Sequence, residues 1–241
     1  MFKIKLWTRL GAVAFVVSLL LSACYSYHDE TYLDELDITL TYRDTSYNFQ
    51  QNTTYALRDS VGIISDYLSK TEIANFYKSG GGNEKIKNLV RTNLNAMGYT
   101  EVANDEQYDL GVNLVVAAIE NTTTYTYGWW YDYYDYYDYY WWGGWYPYYG
   151  YPWYAVSYTY QQGTLLMELA DGNTIRAYRA WADGKTQGEI EHADPSTVPQ
   201  IDYTWQGIVS GVAGTEKSYN EQRAERGINE AFTQSPYLKI N

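Results

Sequence analysis

Side-chain catalysis draws on a histidine, a reactive cysteine, a bound metal or a pair of carboxylates facing one pocket, and this sequence is sparing with the first three. Its two histidines, His28 and His192, are too few for a multi-histidine metal site, and neither has the surroundings of a triad. Its one cysteine, Cys24, allows no intramolecular disulfide and excludes a zinc site of the Cys-x-x-Cys type. Asp132, Asp135 and Asp138 recur at every third position inside "YDYYDYYDYY". With three residues per turn, their carboxylates would share a face but stand about 9 Å apart, too far to share one ion. A calcium loop also interleaves glycine and further oxygen ligands, whereas this run interleaves bulky tyrosines, so these acids are read as solubilising. The run Gly80–Gly82 precedes a helix but lacks the Gly-Lys-Ser/Thr ending of a phosphate loop, and is read as a linker. The chain has 29 acidic residues, so some carboxylate pair is always available, and a hydrolase of the glycosidase kind stands as the remoter alternative. The expectation is a non-enzyme with no catalytic residue, no cofactor and no metal.

What the sequence has in abundance is aromatic surface: 30 tyrosines and 9 tryptophans, concentrated in "YDYYDYYDYYWWGGWYPYYGYPWY" from Tyr131 to Tyr154. Thr122–Tyr127 and Trp153–Gln161 read as extensions of flanking strands, with Gly143, Gly144, Pro147, Gly150 and Pro152 turning the tip. A tip so far from a core cannot bury that many rings. Tyr and Trp offer large, rigid faces with one hydrogen-bonding end, the kind of group that supplies interface hot spots. Trp129, Trp130, Trp141, Trp142 and Trp145 are therefore the expected contacts for a protein or glycan partner. Contact with lipid headgroups competes with this reading, because Trp and Tyr settle at membrane interfaces, but Asp132, Asp135 and Asp138 would be repelled by an anionic leaflet.

Residues 1–23 read as a signal peptide, with Lys3, Lys5 and Arg9 ahead of an apolar stretch from Leu10 to Leu21. That stretch is shorter than the roughly 20 apolar residues a permanent span requires. Leu21-Ser22-Ala23-Cys24 resembles the lipobox of bacterial lipoproteins, which implies a diacylglycerol and a further acyl chain on Cys24. Two or more chains, at about 0.8 kcal/mol per buried methylene, anchor stably where one is marginal. Loss of the leader takes the net charge from −12 to about −15. A surface of that sign repels phosphate backbones, so nucleic acid is not an expected partner. The expected location is the cell envelope, on the periplasmic face or the outer surface of an outer membrane. His28-Asp29-Glu30 resembles the acidic export signals of surface lipoproteins in some Gram-negative groups.

The elements that must carry these groups follow from periodicity. Residues 24–35 are polar and acidic and read as a tether, and 36–241 as one domain with the aromatic insertion at 125–160. Leu36–Tyr42 and Thr53–Asp59 alternate as strands, while Asp59–Lys78 fits either a helical face or a buried loop. A helix is expected with Asn83 as its N-cap, Ile86, Leu89, Val90, Leu94 and Met97 on one face and Gly98 at its left-handed end. Tyr108–Glu120 is apolar on both parities, the pattern of a central strand covered on both faces. Gly163–Asp171 and Thr174–Gly184 are expected to form a hairpin about Asp171-Gly172-Asn173. Gly184–Pro199 reads as a loop, and Ser218–Thr233 as a final helix. The sum is an α+β domain with a mainly antiparallel sheet, helices packed on one face and a long Tyr/Trp-rich hairpin or loop insertion.

The segments "TTYALRDSV" from Thr53, "NAMGYTEV" from Asn95, "YDLGVNLVV" from Tyr108, the aromatic run, "YQQGTLLMELAD" from Tyr160, "AWADG" from Ala180 and "GINEAFTQSPYL" from Gly227 follow one another in order. Together they resemble one family, the bacterial lipoprotein domain of unknown function 4136. The resemblance implies a signal-bearing lipoprotein with an α+β domain and supplies no activity. The function expected is thus a lipid-anchored binding or envelope-assembly module. A purely structural envelope protein is the alternative.

Overall fold

The computed structural model describes residues 37–104, 106–119, 125–126, 155–156, 162–212 and 216–240. Among these residues, nine strands and five helices follow in chain order. The first part of the chain forms β1 (Ile38–Arg43), β2 (Thr54–Leu57), β3 (Gly62–Ser65), α1 (Lys70–Tyr77), α2 (Gly82–Ala96) and β4 (Thr100–Glu101). Next come β5 (Leu110–Ile119), β6 (Tyr125–Thr126), β7 (Ala155–Val156), β8 (Gln162–Asp171) and α3 (Gly172–Ala182). The chain closes with α4 (Gln187–Glu191), β9 (Tyr203–Val212) and α5 (Lys217–Thr233). Seven strands make one sheet in the order β1-β9-β8-β5-β2-β4, with β3 also beside β5.

The sheet is mixed, not mainly antiparallel. The pairs β1/β9, β9/β8 and β8/β5 are antiparallel, whereas β5/β2, β5/β3 and β2/β4 are parallel. Parallel neighbours need a crossover connection, and the α1–α2 stretch between β3 and β4 supplies it. Within this sheet β5 is central: β8 pairs with it along its whole length, and β2 and β3 pair with its other edge in succession. Leu110, Val112 and Leu114 are buried on one side of β5, and Asn113, Val115 and Ala117 on the other, as its doubly apolar pattern predicts.

The main core forms where one sheet face meets α2 and α5. Leu57, Val112, Leu114, Met167, Leu169 and Trp205 pack there against Val90 and Leu94 of α2 and Ile228, Ala231 and Phe232 of α5. The Trp205 ring stacks on Phe232 at 5.3 Å, and its Nε1–H donates to Ser235 Oγ at 2.8 Å, so the one polar atom of the indole is satisfied in the core. Helices are not confined to this face. Ala56 and Ala170, of the opposite parity, pack with Tyr108 and with Ile175 of α3.

Helix α3 stands where a second hairpin strand was expected. Asp171 does not open a β-turn; its carboxylate caps a helix by accepting from the N–H groups of Asn173 and Thr174. Gly172 is there for proximity, since its N–H donates to Asp109 O at 2.7 Å and a Cβ would run into the Tyr108 carbonyl. The true partners of β8 are β5 and β9, and β9 escapes sequence reading because Gly207 and Gly211 interrupt its apolar pattern. At Gly207 a side chain would collide with the Trp205 indole, which lies across that position.

Helix α2 begins one residue after Gly81, not at Asn83, whose Oδ1 instead accepts the Val61 N–H at 2.9 Å. Gly98 takes the expected left-handed conformation at φ 103°. The ambiguous Asp59–Lys78 stretch resolves into β3 and α1, the latter opened by a Ser69/Glu72 capping box. Within the expected Gly184–Pro199 loop, α4 is opened by a second capping box, Thr186/Glu189.

Candidate functional site

The sheet face away from the main core carries a line of polar side chains across four neighbouring strands. On β5 and β8, Asn113 stands directly opposite Glu168, and on β8 and β9, Glu168 stands opposite Gln206. Arg58, one residue beyond the end of β2, extends the line. Every second residue of a strand points to the same face, so this register alone brings Asn113, Glu168 and Gln206 together. All four side chains are buried.

The hydrogen bonds run in one chain. Arg58 Nη1 donates to Asn113 Oδ1 at 3.3 Å, Asn113 Nδ2 donates to Glu168 Oε2 at 3.0 Å, and Gln206 Nε2 donates to Glu168 Oε1 at 2.9 Å. Glu168 thus holds each carboxylate oxygen against a neutral amide, with the guanidinium one residue removed. Burial pushes its acid up to about 7, and the hydrogen bonds from Asn113 and Gln206 oppose that rise only in part. With 3% of its surface exposed, Glu168 is a carboxyl group held inside the sheet on two neutral amides. Chemistry on a substrate would require this face to be uncovered first.

Other carboxylates are committed to the backbone. Burial pushes the Asp109 acid up, but bonds from the Thr53 and Thr54 N–H groups at 2.8 and 2.9 Å, together with both hydroxyls, hold it below the usual aspartate value. Asp171 caps α3 and accepts the Tyr47 hydroxyl at 3.1 Å. His192 is exposed, with Nδ1 3.0 Å from Gly188 O. Among the described residues, no three His, Cys, Asp or Glu side chains gather in a way that could hold a metal ion. No helix among them is long and apolar enough to cross a membrane.

Cys24, Trp129, Trp130, Trp141, Trp142, Trp145 and the aspartates Asp132, Asp135 and Asp138 lie outside the described residues. The roots of the aromatic insertion are described. Strands β5 and β8 end side by side with Ile119 opposite Gln162, and within the insertion β6 and β7 pair antiparallel, Tyr125 opposite Val156 and Thr126 opposite Ala155. The polar line was missed from sequence because even its successive, hydrogen-bonded members lie 38 to 55 residues apart. Its only local signal is a lone polar residue inside an apolar strand, Asn113 in "GVNLVV" and Glu168 in "LLMEL".

These features define an α+β protein built on a mixed seven-stranded sheet, with helices against both faces and a buried carboxylate in the sheet. Residues 40–237 match the family model described as a domain of unknown function, DUF4136, and the chain belongs to that family. The solved structures include a similar one, the crystal structure of a DUF4136 family protein from Bacteroides thetaiotaomicron VPI-5482. It is 26% identical, covers 85% of this chain and 98% of that one, and has a TM-score of 0.49. A comparison with the curated proteins returns no match.

Proposed function

We propose that this chain is a non-enzymatic, lipid-anchored lipoprotein of the cell envelope, held through acyl chains on Cys24, that contacts a protein or glycan through its Tyr/Trp-rich insertion. The observation that supports this most is where the insertion is rooted. Its two ends leave β5 and β8 at directly paired residues, Ile119 and Gln162, at the end of the two central strands. A segment rooted between paired strands can vary in length without disturbing their ladder, which is how a scaffold positions a recognition loop. The composition of the loop fits that use, because Trp and Tyr dominate interface hot spots.

The test uses alanine at each of Trp129, Trp130, Trp141, Trp142 and Trp145, beside a deletion of Gly128–Tyr151, in a crosslinking pull-down from intact cells. At least one alanine should cost about 2 kcal/mol of binding, close to thirtyfold in affinity, while shifting stability by no more than about 0.5 kcal/mol. Unchanged capture by the deletion variant, or a stability loss of about 3 kcal/mol at every alanine, would sink the reading.

A further inference from the structure

We propose that the outer edge of β1 is a homodimerisation surface, on which a second copy of this chain adds its own β1 antiparallel, with Leu40 of each copy meeting on the two-fold axis. Strand β1 ends the sheet and pairs only with β9 among the described residues. Asp44, just past β1, donates its N–H to Thr204 O at 2.9 Å. Backbone groups alternate sides along a strand, so Ile38, Leu40 and Tyr42 direct theirs toward β9, while Thr39, Thr41 and Arg43 direct theirs outward.

Monomeric proteins blunt such edges with lysine, proline or a bulge. "ITLTYR" contains no lysine or proline, and its pairing with β9 runs from Ile38 to Arg43 without a shift. Two large apolar side chains are exposed on it instead, Ile38 at 43% and Leu40 at 39%.

The segment is complementary to itself. Antiparallel pairing centred on Leu40 sets Asp37 against the second copy's Arg43, Ile38 against its Tyr42, Thr39 against its Thr41 and Leu40 against its Leu40. The outward-pointing residues then meet each other, so the Thr39–Thr41 and Asp37–Arg43 pairs are the hydrogen-bonded ones. The Leu40 pair is the close non-bonded kind, with Cα atoms about 4.5 Å apart. Ile38 with Tyr42 is a favourable β-branched–aromatic cross-strand pair. The charge match occurs twice by symmetry, which matters for a chain of net charge −12 whose copies otherwise repel. Centring the pairing on Thr41 would set Asp44 against Ile38, and centring it on Thr39 would leave Arg43 without a partner in β1. Asp37 already accepts from Arg223 through both carboxylate oxygens and Arg43 lies over the Tyr237 ring at 4.1 Å, so both side chains are held beside the strand.

An edge of six residues buries less than the roughly 1,200 Å² of a standard interface, the size class of weak and transient contacts. The test is analytical ultracentrifugation of the full chain in mild detergent, up to about 100 µM. The parent should dimerise. Leu40→Lys sets two like charges on the axis and should weaken the dimer at least tenfold with its thermal transition unchanged. Should that variant fail to fold, Thr41→Pro serves, because it removes only an outward N–H that no strand among the described residues uses. Under mild oxidation, Leu40→Cys in a Cys24→Ala background should give a crosslinked dimer, and Thr39→Cys alone should not. A parent that stays monomeric at the highest concentration overturns the proposal. So does a dimer that survives both edge variants, or one in which Leu40→Cys does not crosslink.

Discussion

Replacing Glu168 with glutamine keeps the shape of the side chain and removes its charge, which isolates the cost of holding a carboxylate inside the sheet. The folded-state acid is raised to about 7 from an ordinary value of 4.5. Below pH 4.5 both folded and unfolded chains hold the proton, and the folded state bears no penalty. As pH rises from 4.5 to 7, the unfolded chain ionises first and is favoured. Above 7 both are ionised and the loss is complete. At 1.36 kcal/mol per pH unit, the parent loses less than about 1 kcal/mol through this group by pH 5 and about 3 kcal/mol by pH 8. The glutamine variant loses none of it. A glutamine presents an NH2 group with two N–H donors, and the protonated acid one O–H, where the carboxylate had only acceptors. Turning the Gln206 amide over accommodates a donor on its side, whereas Asn113 is fixed by the bond from Arg58 to its Oδ1. The assay is thermal unfolding of parent and Glu168→Gln at pH 5 and pH 8. The difference between the two proteins cancels the contributions of the other titrating groups. The variant should gain on the parent by roughly 5–10 °C between the two pH values. A constant difference across that range would show that Glu168 is ionised at pH 5, and that the polar line solvates its charge far better than two amide hydrogen bonds should.

Two further outcomes test the packing and the anchor. Gly227 lets α5 close on β9, and a Cβ there would run into Val209 Cγ1, so Gly227→Ala should destabilise by about 1–2 kcal/mol in denaturant unfolding despite the better helix propensity. Val209→Ala in the same chain should recover part of the loss, and a stabilised Gly227→Ala would show that α5 sits further from the sheet. Cys24→Ala should abolish incorporation of a fatty-acid analogue and release the protein from membranes, and persistent labelling would rule out the lipobox reading.

The aromatic run and the lipobox-like Leu21-Ser22-Ala23-Cys24 are local sequence patterns, and so were the elements that periodicity picked out. "YDLGVNLVVAAIE" announced a strand buried on both faces, and Val90 and Leu94 announced the packed face of α2, because burial writes its period directly into a single continuous segment. The segment Thr174–Gly184 went the other way. Asp-Gly-Asn is both a turn signal and a helix cap, and what selects the cap is contact with Tyr108 and Asp109, some 60 residues earlier. β9 was hidden by glycines that only neighbours distant in sequence or placed by the fold require, the Trp205 ring at Gly207 and the Asp37 carboxylate with Arg223 at Gly211. Parallel or antiparallel pairing was likewise undetermined by pattern, since a strand's alternation is the same in either direction, and the route of the chain through α1 and α2 decides it. The buried carboxylate lay furthest from reach. Asn113, Glu168 and Gln206 are ordinary polar residues in their own segments, and become one proton-holding line only when the registers of β5, β8 and β9 set them side by side. Composition and period belong to one stretch of chain. Register, depth and electrostatic environment belong to stretches that meet only in the folded protein.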